Sequence, residues 1–183
     1  MTDVILYPTE TVYALGVNPF DKKAWHTLCT LKGRSDQQAM SWLVRNVDDI
    51  EKFAVVTETA REIIEKYLPG SVTVILEANS SVPKNVQALD GTVSFRISPD
   101  PKAQHLIEGF MSYHGMPLTC TSANVHGLPT KEAPKEIIEQ FGVKADMITQ
   151  IVDDGPRSGT PSTIVRIIGD EVTVLRQGEV QIN

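Results

Sequence analysis

An apolar run too short to fill a helix, Val4-Ile-Leu-Tyr7, halts at Pro8 and gives way at once to Thr9-Glu10-Thr11. The arrangement recurs far downstream, where Met116 to Cys120 delivers Thr121-Ser122-Ala123-Asn124. Runs of this length read as buried strands, and polar groups directly after them fall in loops at strand ends, where α/β proteins face their ligands. A chain equipped twice in this way points to a fold that gathers both ends around one polar cleft. Lys32-Gly33-Arg34, Arg96, Pro161-Ser162-Thr163 and Arg176 set further cations and hydroxyls at candidate element ends. Anionic ligands are therefore expected.

The remaining pattern interleaves helices with strands. Asp21 is a candidate N-cap for a helix to about Leu31, with Ala24, Leu28 and Leu31 on one face. Met40 to Val44 has strand length, Asp48 to Phe53 reads as a helical turn, and Glu58 to Leu68 as an amphipathic helix stopped by Pro69-Gly70. Ser71 to Glu77 and Thr92 to Ile97 alternate and are rich in β-branched residues. Pro101 opens a helix to about Tyr113, and Ala133 to Phe141 forms another, closed by Gly142. The end is β: Ile148 to Val152, then Ser162 to Ile167 and Val172 to Leu175 joined by a Gly169-Asp170 turn. The expectation is one α/β domain over residues 1–183, with a twisted mixed β-sheet flanked by helices.

With 183 residues, 41% of them hydrophobic, the chain can bury a real core. No basic-flanked signal segment and no run of about 18 apolar residues is present, so a cytoplasmic protein with no membrane partner is expected. Cys29 and Cys120 make no disulfide framework and no paired metal-ligand spacing, and both read as reduced and structural. A formal net charge of −6 weighs against grip on nucleic acid by bulk electrostatics. A few cations in small-residue surroundings suit a small phosphorylated ligand instead.

The common nucleotide, hydrolase and zinc-protease signatures are missing from the sequence. His26 and Cys29 share a helix face without a second ligand pair, and Ser122 and His126 lie four apart without a carboxylate to orient the imidazole. Asp153-Asp154-Gly155 reads as a solvated turn, with Mg²⁺ binding as the lesser alternative. Thr9-Glu10-Thr11 alone reads equally well as a capped turn, and Lys32 and Arg34 as a solvated helix end.

Their ordered co-occurrence resembles the threonylcarbamoyl-AMP synthase family, the YrdC/TsaC domain, over nearly the whole chain. The family's P-T-E-[TA]-V-[YF]-G-[LV]-G signature stands as Pro8 to Gly16, with Ala14 in place of the usual Gly. Its K-x-R element is Lys32-Gly33-Arg34, its W-P-G-P-x-T segment Leu68 to Thr73, and its V-R element Phe95-Arg96. Its S-A-N element is Ser122 to Asn124, its P-S-[TE]-I element Pro161 to Ile164, and its L-[FL]-R-x-G ending Val174 to Gly178. The chain departs at Ser35 and Gln38-Ala39-Met40, where the family commonly has Pro and a Lys or Asn, and at Leu43, where some members have His. The sequence also begins almost directly at the Pro-Thr-Glu strand, and the C-terminal extra domain of the longer members is not expected.

The resemblance implies that ATP, bicarbonate and L-threonine are condensed to threonylcarbamoyl-AMP and pyrophosphate, the activated intermediate for N6-threonylcarbamoyladenosine in tRNA. Mg²⁺ is expected with the ATP, its protein ligands unspecified. Residue by residue, it places Thr11, Arg34, Arg96, Cys120 and Ser162 around threonine. Lys32, Thr92, Ser122, Asn124, Thr130 and Arg176 fall on the ATP side, Lys32 and Arg34 are the catalytic cations, and Tyr13 shapes the wall. The product would pass to a tRNA threonylcarbamoyltransferase complex, with weak tRNA or double-stranded RNA binding conceivable. Two other readings are an inactive nucleotide- or RNA-binding module and the related carbamoyltransferase domain of hydrogenase maturation, normally part of a much longer chain.

Overall fold

A computed structural model describes residues 3–36 and 38–183. The strands divide between two mixed sheets. In the smaller, β1 (Ile5–Tyr7) is central and buried throughout, pairing antiparallel with β2 (Ala14–Gly16) and parallel with β8 (Gln150–Ile151). The short strand β7 (Thr121–Ser122) completes it beside β2. The larger sheet has the order β10-β9-β4-β5-β3-β6. Its members are β3 (Trp42–Leu43), β4 (Val72–Glu77), β5 (Thr92–Arg96), β6 (Leu118–Thr119), β9 (Thr163–Ile168) and β10 (Glu171–Arg176).

Helices α1 (Lys22–Lys32), α2 (Val47–Glu51), α3 (Glu58–Tyr67), α4 (Pro101–His114) and α5 (Pro134–Phe141), with 3-10 segments at Lys84–Val86 and Gly142–Met147, complete the described elements. The capping chemistry is local. The Asp21 carboxylate accepts from the N–H groups of Lys23 and Ala24, satisfying donors that the first turn of α1 leaves free. Gly33 ends the helix at φ +67°, a conformation costly for any residue with a Cβ, and so turns Lys32 and Arg34 apart.

Two apolar clusters hold these layers. One centres on Trp42, edge-on to Phe53 and Phe95 with ring centroids 5.7 Å away, and extends through the large sheet to α3 and α4. The other packs Trp25, Leu28 and Leu31 of α1 and Ile137 and Phe141 of α5 against Leu6 and Leu15. The sheets meet at Cys120, which lies between β6 and β7. Thr119 fixes the joint: its N–H donates to Val17 O at 2.9 Å, its hydroxyl oxygen accepts from Val17 N–H at 2.9 Å, and its carbonyl accepts the Tyr7 hydroxyl at 2.8 Å.

Candidate active site

At that joint lies a cavity of about 310 Å³. The small sheet and its turn supply Thr11, Val12 and Ala14; the large sheet supplies Thr73, Arg96, Ile164 and Arg176; Cys120, Thr121 and Ser122 come from the junction. Arg34, Ser41 and Thr130 close it. The expected threonine set Thr11, Arg34, Arg96, Cys120 and Ser162 therefore borders one space, together with Ser122, Thr130 and Arg176 of the expected ATP set.

Thr92, Lys32 and Asn124 stand apart from that lining. Thr92 borders an adjoining depression of about 230 Å³ that shares Ser41, Thr73 and Ile164 with the cavity, and its hydroxyl donates to Asp90 at 2.7 Å. Lys32 is buried, its amine donating to the carbonyl oxygens of Ser122 and Asn124. The Asn124 amide donates to Val125 O and Leu128 O, and its oxygen accepts the Ser122 hydroxyl at 2.6 Å. Both side chains thus build the loop that carries Ser122 to the cavity wall. Tyr13 lies behind the wall, donating its hydroxyl to Gly155 O at 2.9 Å.

Alternation on β5 explains the inner end. Val93 and Phe95 enter the core, so Arg96, like Thr92, takes the opposite face. The Arg96 guanidinium contacts Glu10 through Nη2, which also lies 3.3 Å from Thr11 Oγ1, and Nη1 lies 3.9 Å from Cys120 Sγ. Its Nε is buried without a hydrogen-bond partner. Burial opposes the Arg96 charge, but its acidic surroundings, Glu10 above all, outweigh it and leave the pKa above the ordinary arginine value. Burial raises the Cys120 pKa, which keeps the thiol protonated.

Arg34 donates from Nε to Gln38 Oε1 at 3.1 Å and from Nη2 to Ala39 O at 3.0 Å. Arg176 donates through Nε and Nη2 to Ser162 O at 3.0 and 2.7 Å, while Ser162 Oγ meets Thr73 Oγ1 at 2.8 Å. Burial lowers the pKa of both arginines, and for Arg176 the charge of Arg96 adds to it. Sequence reasoning left Glu10, Thr73 and Ser41 without a role. Thr73 lay within a quoted motif, but only the β4 to β9 pairing shows that it meets Ser162.

Among the described residues no group of three or more His, Cys, Asp or Glu is placed to hold a metal. Asp153 accepts from Gly155 N–H, and Asp154 pairs with Arg157. His26 lies 2.8 Å from Asp36. The cavity offers guanidinium groups and hydroxyls, donors that suit anionic oxygens rather than a bare cation.

The family model Sua5_yciO_yrdC, described as telomere recombination, matches residues 2–178. The chain belongs to this family. It is 31% identical over 180 residues, 98% of its length and 81% of the relative's, to a putative threonylcarbamoyl-AMP synthase of Methanocaldococcus jannaschii. It is also 28% identical over 177 residues to the uncharacterized protein YciO of Escherichia coli, covering 96% of this chain and 82% of that one. The crystal structure of E. coli YciO superimposes with a TM-score of 0.85 at 26% identity, covering 98% of this chain and 84% of that one. P. abyssi Sua5 complexed with L-threonine gives 0.83 at 26% identity, over 97% of this chain but 51% of that one. This Sua5/YciO/YrdC chain thus spans about half the length of the P. abyssi protein. Full-length HypF shares the fold at 18% identity and a TM-score of 0.79. No helix among the described residues is long and apolar enough to cross a membrane.

Proposed function

We propose that this chain is an L-threonylcarbamoyladenylate synthase, a nucleotidyltransferase that condenses L-threonine, bicarbonate and ATP for the threonylcarbamoylation of tRNA. One observation carries the reading: in a chain whose relatives are named threonylcarbamoyl-AMP synthase, Arg34, Arg96 and Arg176 converge with the hydroxyls of Thr11, Ser122, Thr130 and Ser162 on a single cavity.

The chemistry asks mainly for positioning. The threonine amine adds to the carbon of bicarbonate with loss of water, and a carbamate oxygen then attacks the α-phosphorus as the bond to pyrophosphate breaks. Arg96 takes the threonine carboxylate, with Thr11 and Ser162 around it, and Cys120 forms the wall as a neutral thiol. Arg34 and Arg176 balance phosphate charge, and Ser122 and Thr130 donate to phosphate oxygens. Lys32 and Asn124 hold Ser122 in place, and Thr92 borders the depression into which the nucleotide extends. Mg²⁺ enters with ATP and supplies further neutralisation on the phosphates. The labile carbamate also needs shelter from water, which ligands filling a cavity walled by both sheets would provide.

The product is passed to a tRNA threonylcarbamoyltransferase, and the reaction is cytoplasmic. Incubation with ATP, threonine and bicarbonate should release pyrophosphate, and omission of threonine should abolish the release. Nucleotide binding with no threonine-dependent pyrophosphate would establish a binding module instead.

A further inference from the structure

Arg34, Arg96 and Arg176 border one cavity, yet they differ electrically. Arg34 and Arg176 spend their donors on neutral acceptors, the Gln38 side chain and the carbonyls of Ala39 and Ser162. Arg96 alone among them forms an ion pair within the described residues, with Glu10. The two side chains are 8% and 13% exposed, so water screens the pair weakly. Glu10 is held rigidly: one oxygen meets Arg96 and the other accepts the Ser98 hydroxyl. Ser98 is fully buried and its Oγ also accepts the Asp100 N–H at 3.2 Å, which ties Glu10 to the start of α4. Glu10 itself stays off the cavity lining.

The three cations therefore differ in compensation: Glu10 offsets the charge of Arg96, whereas Arg34 and Arg176 have no carboxylate partner among the described residues. A phosphate brought to Arg96 would set a second anion beside the buried Glu10 carboxylate, and like charges in such surroundings repel strongly. A zwitterionic amino acid meets no such barrier: its carboxylate can meet the Arg96 guanidinium that borders the cavity, and its ammonium is attracted by Glu10.

We propose that Glu10 is a specificity-determining positioning residue that sorts the two substrates, reserving Arg96 for the carboxylate of a zwitterionic amino acid and leaving the triphosphate to the uncompensated Arg34 and Arg176. The inference rests on the reaction proposed above. It also makes Glu10 responsible for keeping the nucleotide from occupying the amino-acid subsite, a role distinct from holding the turn together.

Calorimetric titration of the full chain with L-threonine and with inorganic tripolyphosphate, at fixed salt and pH, tests the sorting. In the wild type, saturating tripolyphosphate should leave threonine affinity within about twofold. In Glu10→Gln, which keeps the shape and removes the charge, tripolyphosphate should bind at least tenfold more tightly and now compete with threonine. A folded Glu10→Gln variant in which tripolyphosphate affinity and non-competition are both unchanged overturns the proposal. Should Glu10→Gln fail to fold, Ser98→Ala removes a donor from Glu10 and keeps its charge; the less compensated carboxylate should weaken tripolyphosphate binding about threefold, and no change overturns the proposal. If wild-type chain binds no threonine, the proposed reaction falls, and Glu10 is still judged by the tripolyphosphate arm, where tenfold tightening upholds the charge compensation and unchanged affinity refutes it.

Discussion

The Lys32 amine lies 3.0 Å from the backbone oxygen of Asn124 and 3.4 Å from its side-chain oxygen, across 92 positions of sequence. The tie is reciprocal, because the Lys32 carbonyl accepts the His126 N–H at 2.8 Å. The end of α1 and the loop presenting Ser122 thus move as one body. No carboxylate compensates the buried amine among the described residues, and burial, reinforced by Arg34, pushes its pKa down to about 7.

Lys32 should therefore make stability rise with pH. With a folded pKa of about 7 against about 10.4 in the unfolded chain, the unfolded state binds more protons between those values. The cost of burying the charge is fully present below pH 7 and is relieved as pH climbs toward 10. Lys32→Met removes this linkage. The stability of wild type relative to Lys32→Met should rise by about 2 to 4 kcal/mol from pH 7 to pH 10, measured by denaturant titration; a difference flat with pH means the amine is not desolvated.

Arg34→Lys should damage function more than folding. The guanidinium spans two acceptors, Gln38 Oε1 and Ala39 O, and an ammonium cannot keep that fork while facing a phosphate. A fall in kcat/KM of about tenfold to a hundredfold is expected, roughly 1 to 3 kcal/mol, with a melting temperature close to wild type. Normal kinetics in both Arg34→Lys and Arg34→Ala would remove Arg34 from the site.

Gly159 gives the cavity a structural test. Its N–H donates to Thr11 O at 2.8 Å, and a Cβ built there would collide with that oxygen and sit 2.7 Å from Thr11 Cα. Both neighbours are backbone, so the segment between β8 and β9 must lift from the Thr9 to Thr11 turn. Gly159→Ala should cost about 1 to 3 kcal/mol and weaken threonine binding through Thr11 and Ser162. Unchanged threonine affinity would show that the segment does not set the pocket.

Local rules made much of this fold legible. The Asp21 cap, the Gly33 stop, the Pro101 helix start and the hairpin at Gly169-Asp170 stand where capping and turn chemistry put them. The division into two sheets lay beyond reach, because β2 and β7 are only three and two residues long and are set by pairing across more than a hundred positions. The same limit applied to the site. Residue types and order marked the cations and hydroxyls, but Glu10 read equally as a turn residue, and only the tertiary contact shows its pairing with Arg96. Lys32 likewise looked like a ligand group, whereas in the fold its donors are turned toward the loop that carries Ser122.

Threonine and ATP should bind with linked affinities. Arg96 and Thr92 share one face of β5, at about 3.3 Å per residue some 13 Å apart. The cavity at Arg96 adjoins the depression at Thr92 through Ser41, Thr73 and Ile164, so two ligands can lie end to end in one trench. Each then orders walls that the other uses, and linkage requires each to tighten the other by the same factor. ATP should measurably raise threonine affinity. Arg96→Ala should abolish threonine binding while ATP still binds, at a stability cost of about 3 kcal/mol because Glu10 loses its buried counter-charge. That cost fixes the condition of the experiment: titrations belong well below the melting temperature of the variant. Threonine affinity indifferent both to ATP and to Arg96 would break the shared trench and favour a chain that binds nucleotide without transferring it.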